Sequence, residues 1–112
     1  MKKGSKLEET LAWQIKVCGL PKPEREYVFL PGRRYRADFA WPAPKVRLIV
    51  ECQGGLWLRK GAHSSGTGIR RDYEKSNCAQ LDGWVYLQFT ADQIKSGLAV
   101  QVIESFIRGR MA

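Results

Sequence analysis

Apolar positions at Leu7, Leu11, Ile15 and Cys18 recur at helical spacing. Ser5 followed by Glu8 has the form of a capping box, so the first helix is predicted over residues 5–18. Gly19 and Pro21 stop it, and Pro21-Lys22-Pro23 reads as a loop because proline cannot continue a helix. Short runs of strand-forming residues follow at 27–30, closed by Pro31-Gly32, at 35–41, and at 46–52 after a tight connection over 42–45. The second and third strands are expected to pair as an antiparallel hairpin. Residues 53–68 are glycine-rich and read as a long loop of the kind that often carries function. A helix is predicted over 69–82, with Gly83 just past its end, and a fourth strand over 84–89. Thr90 and Gln93 form a second capping box. It opens a last helix with a core face of Ile94, Leu98, Val102 and Phe106, which Ser96-Gly97 can break early. The order α-β-β-β-α-β-α predicts an α/β fold, a mixed sheet flanked by helices.

Two acidic residues break this pattern. Asp38 and Glu51 each interrupt an apolar strand, where carboxylates are rarely found unless something holds them. Strand alternation puts Arg36, Asp38 and Ala40 on one face and Ala37, Phe39 and Trp41 on the other. On the next strand Val46, Leu48 and Val50 share one face, and Ile49, Glu51 and Gln53 the other. In the expected register Asp38 and Glu51 face one space. Mg²⁺ or Mn²⁺ suits such a pair, since hard cations take carboxylate and carbonyl oxygens, and the Cys52 carbonyl is a further candidate ligand. The competing reading is a salt network with Arg34, Arg36 or Arg47. Glu8 has two readings as well. It completes the capping box, or it joins the metal site from the helix face that it shares with Leu11, Ala12 and Ile15.

Composition narrows the partner. The chain has 112 residues, 19 Lys and Arg against 11 Asp and Glu, and a net charge of +8. This length suits one domain over 1–112 with a modest core. A polyanion is the natural partner, and DNA the expected one. The basic sets are Lys2, Lys3 and Lys6; Arg33, Arg34 and Arg36; Arg59 and Lys60; and Arg70, Arg71 and Lys75. Within the glycine-rich loop, Trp57 can stack on a base or pack in the core, and His63 can reach a phosphate. The loop lacks the Gly-Lys-Ser/Thr of a nucleotide-binding P-loop, so no nucleotide cofactor is expected. Trp13, Trp41 and Trp84 are assigned to the core. Cys18, Cys52 and Cys78 have neither disulfide-framework nor zinc spacing, which favours a reducing cytoplasm. No membrane span or secretion signal is expected.

The order Asp38…Glu51-x-Gln53 resembles the PD-(D/E)xK signature of the restriction-endonuclease-like fold, over about residues 27–90. The N-terminal Lys3-Gly4-Ser5…Glu8 resembles the start of Holliday-junction resolvases. Gly54-Gly55-Leu56-Trp57, His63, Asp72-x-x-Lys75 and Gly83-Trp84 resemble small phage-type endonucleases and, more loosely, very-short-patch mismatch endonucleases. The resemblance implies an αβββαβα core and Mg²⁺-dependent hydrolysis of DNA phosphodiesters, leaving a 5′-phosphate. Asp38 and Glu51 would hold the metal, with Glu8 completing the site. Lys3, Arg33, Arg34, Arg36, Trp57, Arg59, Lys60, His63, Arg70 and Arg71 would meet DNA. The chain departs from the signature at its third position, where Gln53 replaces the usual lysine. Glutamine can orient water but carries no charge. Either Gln53 takes that limited role, or Lys75 or Arg71 supplies the missing cation. With no separate recognition module apparent, branched DNA cut by a homodimer is the expected substrate. The alternatives are a mismatch or nicking endonuclease and a non-catalytic nucleic-acid-binding module. If phage-encoded, the protein would act in the bacterial host's cytosol.

Overall fold

The computed structural model describes residues 5–53 and 66–112. Its elements are α1 (Lys6–Val17), β1 (Glu24–Val28), β2 (Arg36–Trp41), β3 (Leu48–Cys52), α2 (Gly66–Leu81), β4 (Val85–Phe89), α3 (Ala91–Lys95) and α4 (Leu98–Met111). The strands form one mixed sheet in the order β1-β2-β3-β4. β1 to β3 run as an antiparallel meander, and β4 joins β3 in parallel after the α2 crossover. The expected α/β architecture is therefore the observed one. Among the described residues no helix is long and apolar enough to cross a membrane.

Both faces of the sheet are covered. On one, Phe39, Trp41, Leu48, Val50 and Phe89 pack against Leu11 and Ile15 of α1, Ile94 of α3 and Ile103 and Ile107 of α4. On the other, Ala37, Ala40, Ile49 and Trp84 pack with Ala79 of α2 and with Phe29 and Tyr35. Strand alternation predicts Ala37 on the same side as Phe39, yet Ala37 belongs to the α2 side. The change of side falls at Asp38, the residue between them. The register pairs Arg25 with Phe39 and Tyr27 with Ala37, which sets Glu26 opposite Asp38. Glu26 has φ +51°, a left-handed backbone that costs an ordinary residue about 1 kcal/mol or more.

Several boundaries shift from the sequence reading. β1 starts at Glu24, three residues early, because its charged first half lies at the sheet edge and is solvated. β3 starts at Leu48 rather than at 46. The amides of Val46 and Arg47 both donate to the Ala43 carbonyl, prolonging the turn, and Arg47 has φ +51°. The Ser5 hydroxyl accepts from the Glu8 amide at 3.1 Å, which is half of the expected capping box. Trp13, assigned to the core, is 64% exposed on the outer face of α1.

The last helix differs most. Gly97 adopts φ +90° and separates α3 from α4. The break restarts the helical phase, so the buried positions of α4 are Ala99, Val100, Ile103 and Ile107. Leu98 and Val102, placed in the core by the uninterrupted pattern, are exposed. Ile103→Ala is expected to cost about 2–5 kcal/mol, as truncation of a buried aliphatic does. Val102→Ala should stay within about 1 kcal/mol. Urea unfolding of the two variants measures both, and equal losses would contradict the restarted phase.

Candidate active site

The site begins where two strands part. β2 and β3 are paired from Trp41↔Leu48 to Phe39↔Val50. One step further, side chains take over the main-chain bonding. The Asp38 amide donates to Glu51 Oε2 at 2.9 Å, and the Cys52 amide donates to Asp38 Oδ2 at 2.9 Å. Each carboxylate thus accepts a backbone N–H of the opposite strand, which anchors it and fills the fork. Both are buried, as is Glu8. Cys52 meets the site through this amide, while burial and the neighbouring Asp38 push its thiol up to about 12, so it stays protonated.

Glu8 enters from α1 on the core side. One carboxylate oxygen each from Glu8, Glu26 and Asp38 lie within 4.8 Å of one another. Carboxylates this close repel one another unless a cation offsets their charge. Three hard oxygen donors are what Mg²⁺ or Mn²⁺ prefers. Glu51 is not in that trio. Its Oε1 accepts from Lys75 Nζ at 2.7 Å, and Lys75 also donates to the Arg36 carbonyl at 2.5 Å. Burial raises the Glu51 carboxyl, Lys75 opposes that shift, and Asp38 adds to it. Burial and the nearby Glu51 charge hold the Tyr86 proton well above the usual phenol range.

Of the three candidates for the missing lysine, Gln53, Lys75 and Arg71, the structure describes the side chains of the first two. Lys75, projecting from α2, reaches Glu51. Gln53 turns the other way, its amide nitrogen donating to Gln88 Oε1 at 2.7 Å. The salt network once open to Arg47 does not form, since Arg47 pairs with Asp82 at 3.1 Å and lies over the Trp84 ring. Arg33 pairs with Glu74 at 3.4 Å and covers Tyr35. Arg34, Arg36 and Arg70 are exposed. Lys3, Trp57, Arg59, Lys60 and His63 lie outside the described residues, as does the side chain of Arg71.

Two site residues escaped the sequence reading. Glu26 lies just ahead of the first strand predicted from the sequence, and only the observed β1–β2 register sets it opposite Asp38. Arg25 stacks 4.6 Å above the Phe39 ring and pairs with Glu9 at 3.0 Å and Glu8 at 3.8 Å. It sets a cation at the margin of the carboxylates.

No family model matches the chain. Two proteins described as uncharacterised, from two strains of Mycobacterium tuberculosis, are each 30% identical over 99 residues, covering 84% of this chain and 34% of their own. The chain thus spans about a third of the length of these relatives. Among solved structures, the catalytic domain of the homing endonuclease I-Bth0305I superposes with a TM-score of 0.68 at 15% identity, over 97% of this chain and 100% of that one. The two share a fold.

The Lys75–Glu51 pair is largely buried. Lys75→Met is expected to cost about 2–4 kcal/mol at neutral pH, because the carboxylate left behind is desolvated without its cation. It should also raise the Glu51 carboxyl further. A carboxyl raised by folding is stabilising while protonated, and that stability is lost as pH rises through the folded-state value. The difference between variant and wild type should therefore shrink in acid and grow towards neutrality. Urea unfolding of both proteins over that range checks the sign.

Proposed function

We propose that this chain is a metal-dependent DNA endonuclease domain. The observation that carries the reading is the Lys75–Glu51–Asp38 linkage, in which a lysine from α2 stands beside the strand carboxylates. A lysine close to paired acids is the combination that phosphodiester hydrolysis needs, and the fold shared with a homing endonuclease catalytic domain supports it. The net charge of +8 supports a polyanionic substrate.

In this reading Asp38, Glu8 and Glu26 hold a divalent cation, Mg²⁺ or Mn²⁺. A bound cation would polarise the phosphate and lower the pKa of a water. The chain's own residues do the rest. Lys75 offers fixed positive charge to the phosphate oxygens, where charge builds during the reaction. Glu51 and the Arg36 carbonyl hold its ammonium in place. Tyr86, near Glu51, keeps its own proton. Gln53, bonded to Gln88, has no proton to exchange and contributes at most by orienting solvent. The exposed Arg34, Arg36 and Arg70 meet phosphates rather than base edges. Contacts of that kind read DNA shape, so branched DNA is the substrate placed first. A homodimer would set two such sites against two strands.

The test is cleavage of a labelled panel: linear duplex, single strand, flap, mismatch and four-way junction, each with Mg²⁺, Mn²⁺ or EDTA. Cleavage should require metal and vanish in Asp38→Asn and Glu51→Ala. Lys75→Ala should slow it by about 10²–10³-fold, the usual cost of losing one electrostatic stabiliser. Gln53→Ala should slow it by about tenfold or less. Symmetric cuts at the junction would support a dimeric resolvase. Intact DNA under every condition, with binding unaffected by EDTA, would instead mean a binding module.

A further inference from the structure

A cleft of about 400 Å³ lies between α1 and the segment leading into β1. Its floor is apolar, built from Ile15, Leu20 and Pro23, and its rim carries Lys16, Lys22 and Arg25. Lys16 and Lys22 are exposed, and among the described residues no ion pair engages either of them. Arg25 both lines the cleft and reaches Glu9 and Glu8. Through Arg25 the cleft is linked to Glu8 of the acidic trio.

We infer that this cleft holds the sugar-phosphate backbone of DNA beside the carboxylate site. The inference rests on the nuclease reading above and adds a track for the strand. A phosphodiester chain alternates charged phosphates with sugars that present apolar faces. The cleft offers the complement, cations above an apolar floor. An acidic protein segment would satisfy the lysines but gains nothing from continuity with a site suited to phosphates. Lys16 and Lys22 stand apart from the carboxylate machinery, and all three cations lie on the opposite side of the sheet from α2. Contacts of this kind neutralise phosphates, release counterions and carry no sequence information.

The experiment is a salt titration of binding to a short labelled duplex in EDTA, where the DNA stays intact. Wild type is compared with the double variant Lys16→Gln, Lys22→Gln, two surface changes that should leave the thermal melt unchanged. The double variant should bind roughly tenfold more weakly at low salt. Its slope of log affinity against log salt should fall by about two. Unchanged affinity and slope would overturn the inference and leave the cleft to an acidic protein partner. The two readings fail separately. Loss of binding in the lysine variant, with no cleavage by wild type in Mg²⁺, would uphold the cleft and sink the nuclease. Full cleavage by wild type with unaltered binding by the variant would do the reverse. Absence of any DNA binding by wild type would overturn both.

Discussion

The exchange of hydrogen bonds at the β2–β3 fork governs the rest of the site. Asp38 and Glu51 each accept a backbone amide that the ladder no longer pairs. The carboxylates solve a backbone problem, since a buried N–H without an acceptor costs on the order of 1–3 kcal/mol. The same bonds fix both side chains to within what the strands allow. Opening of the strands also creates the space that the Glu8 carboxylate reaches from α1. On the far side Lys75 arrives from α2 and bonds to both strands, to Glu51 and to the Arg36 carbonyl. Helices on opposite faces of the sheet thus meet its polar centre only at the fork.

Much of this was legible in the sequence. Carboxylates in apolar strands are expensive, so Asp38 and Glu51 stood out without any structure. Glu8 was legible from its place on the Leu11–Ile15 face. Glu26 was not, because what brings it to Asp38 is a pairing register together with a left-handed backbone, and no side-chain pattern encodes either. Lys75 could be named but not chosen over Gln53. That choice depends on how α2 packs across the sheet, and its approach runs through residues 53–68, where spacing carries no geometric information. The phase of α4 failed for a different reason. A periodicity that continues across Ser96-Gly97 fits the apolar residues well, and only the positive φ of Gly97 resets it. Trp13 shows the limit of composition, because indole is usually buried and here faces water on α1.

Charge is distributed in a way that reconciles a basic chain with an acidic centre. The cations nearest the carboxylates are held by them or by the sheet: Arg25 by Glu9 and the Phe39 ring, Lys75 by Glu51. Arg47 and Arg33 are tied to Asp82 and Glu74 further out. The arginine pairs set the position of a charge more than they add stability, since partly exposed pairs contribute little. Among the described residues, Lys16, Lys22, Arg34, Arg36 and Arg70 are exposed, where charge can attract a polyanion over distance without neutralising the centre.

The left-handed turn at Glu26 is the sharpest sign that the centre is arranged for more than stability. An extended strand would keep β1 in regular alternation and spare the local cost of a positive φ. The observed backbone instead brings a third carboxylate close to two others, a second unfavourable term. Two costs of opposite origin, one steric and one electrostatic, coincide at one residue pair across the β1–β2 ladder. The packing of the core changes side at this step. A bound cation would offset the electrostatic cost directly and, through it, favour the backbone that brings Glu26 there. If the trio holds a cation, as proposed, the strain at this position and the affinity for that cation are linked, and relaxing Glu26 to an ordinary strand conformation should make the fold more regular and the binding weaker.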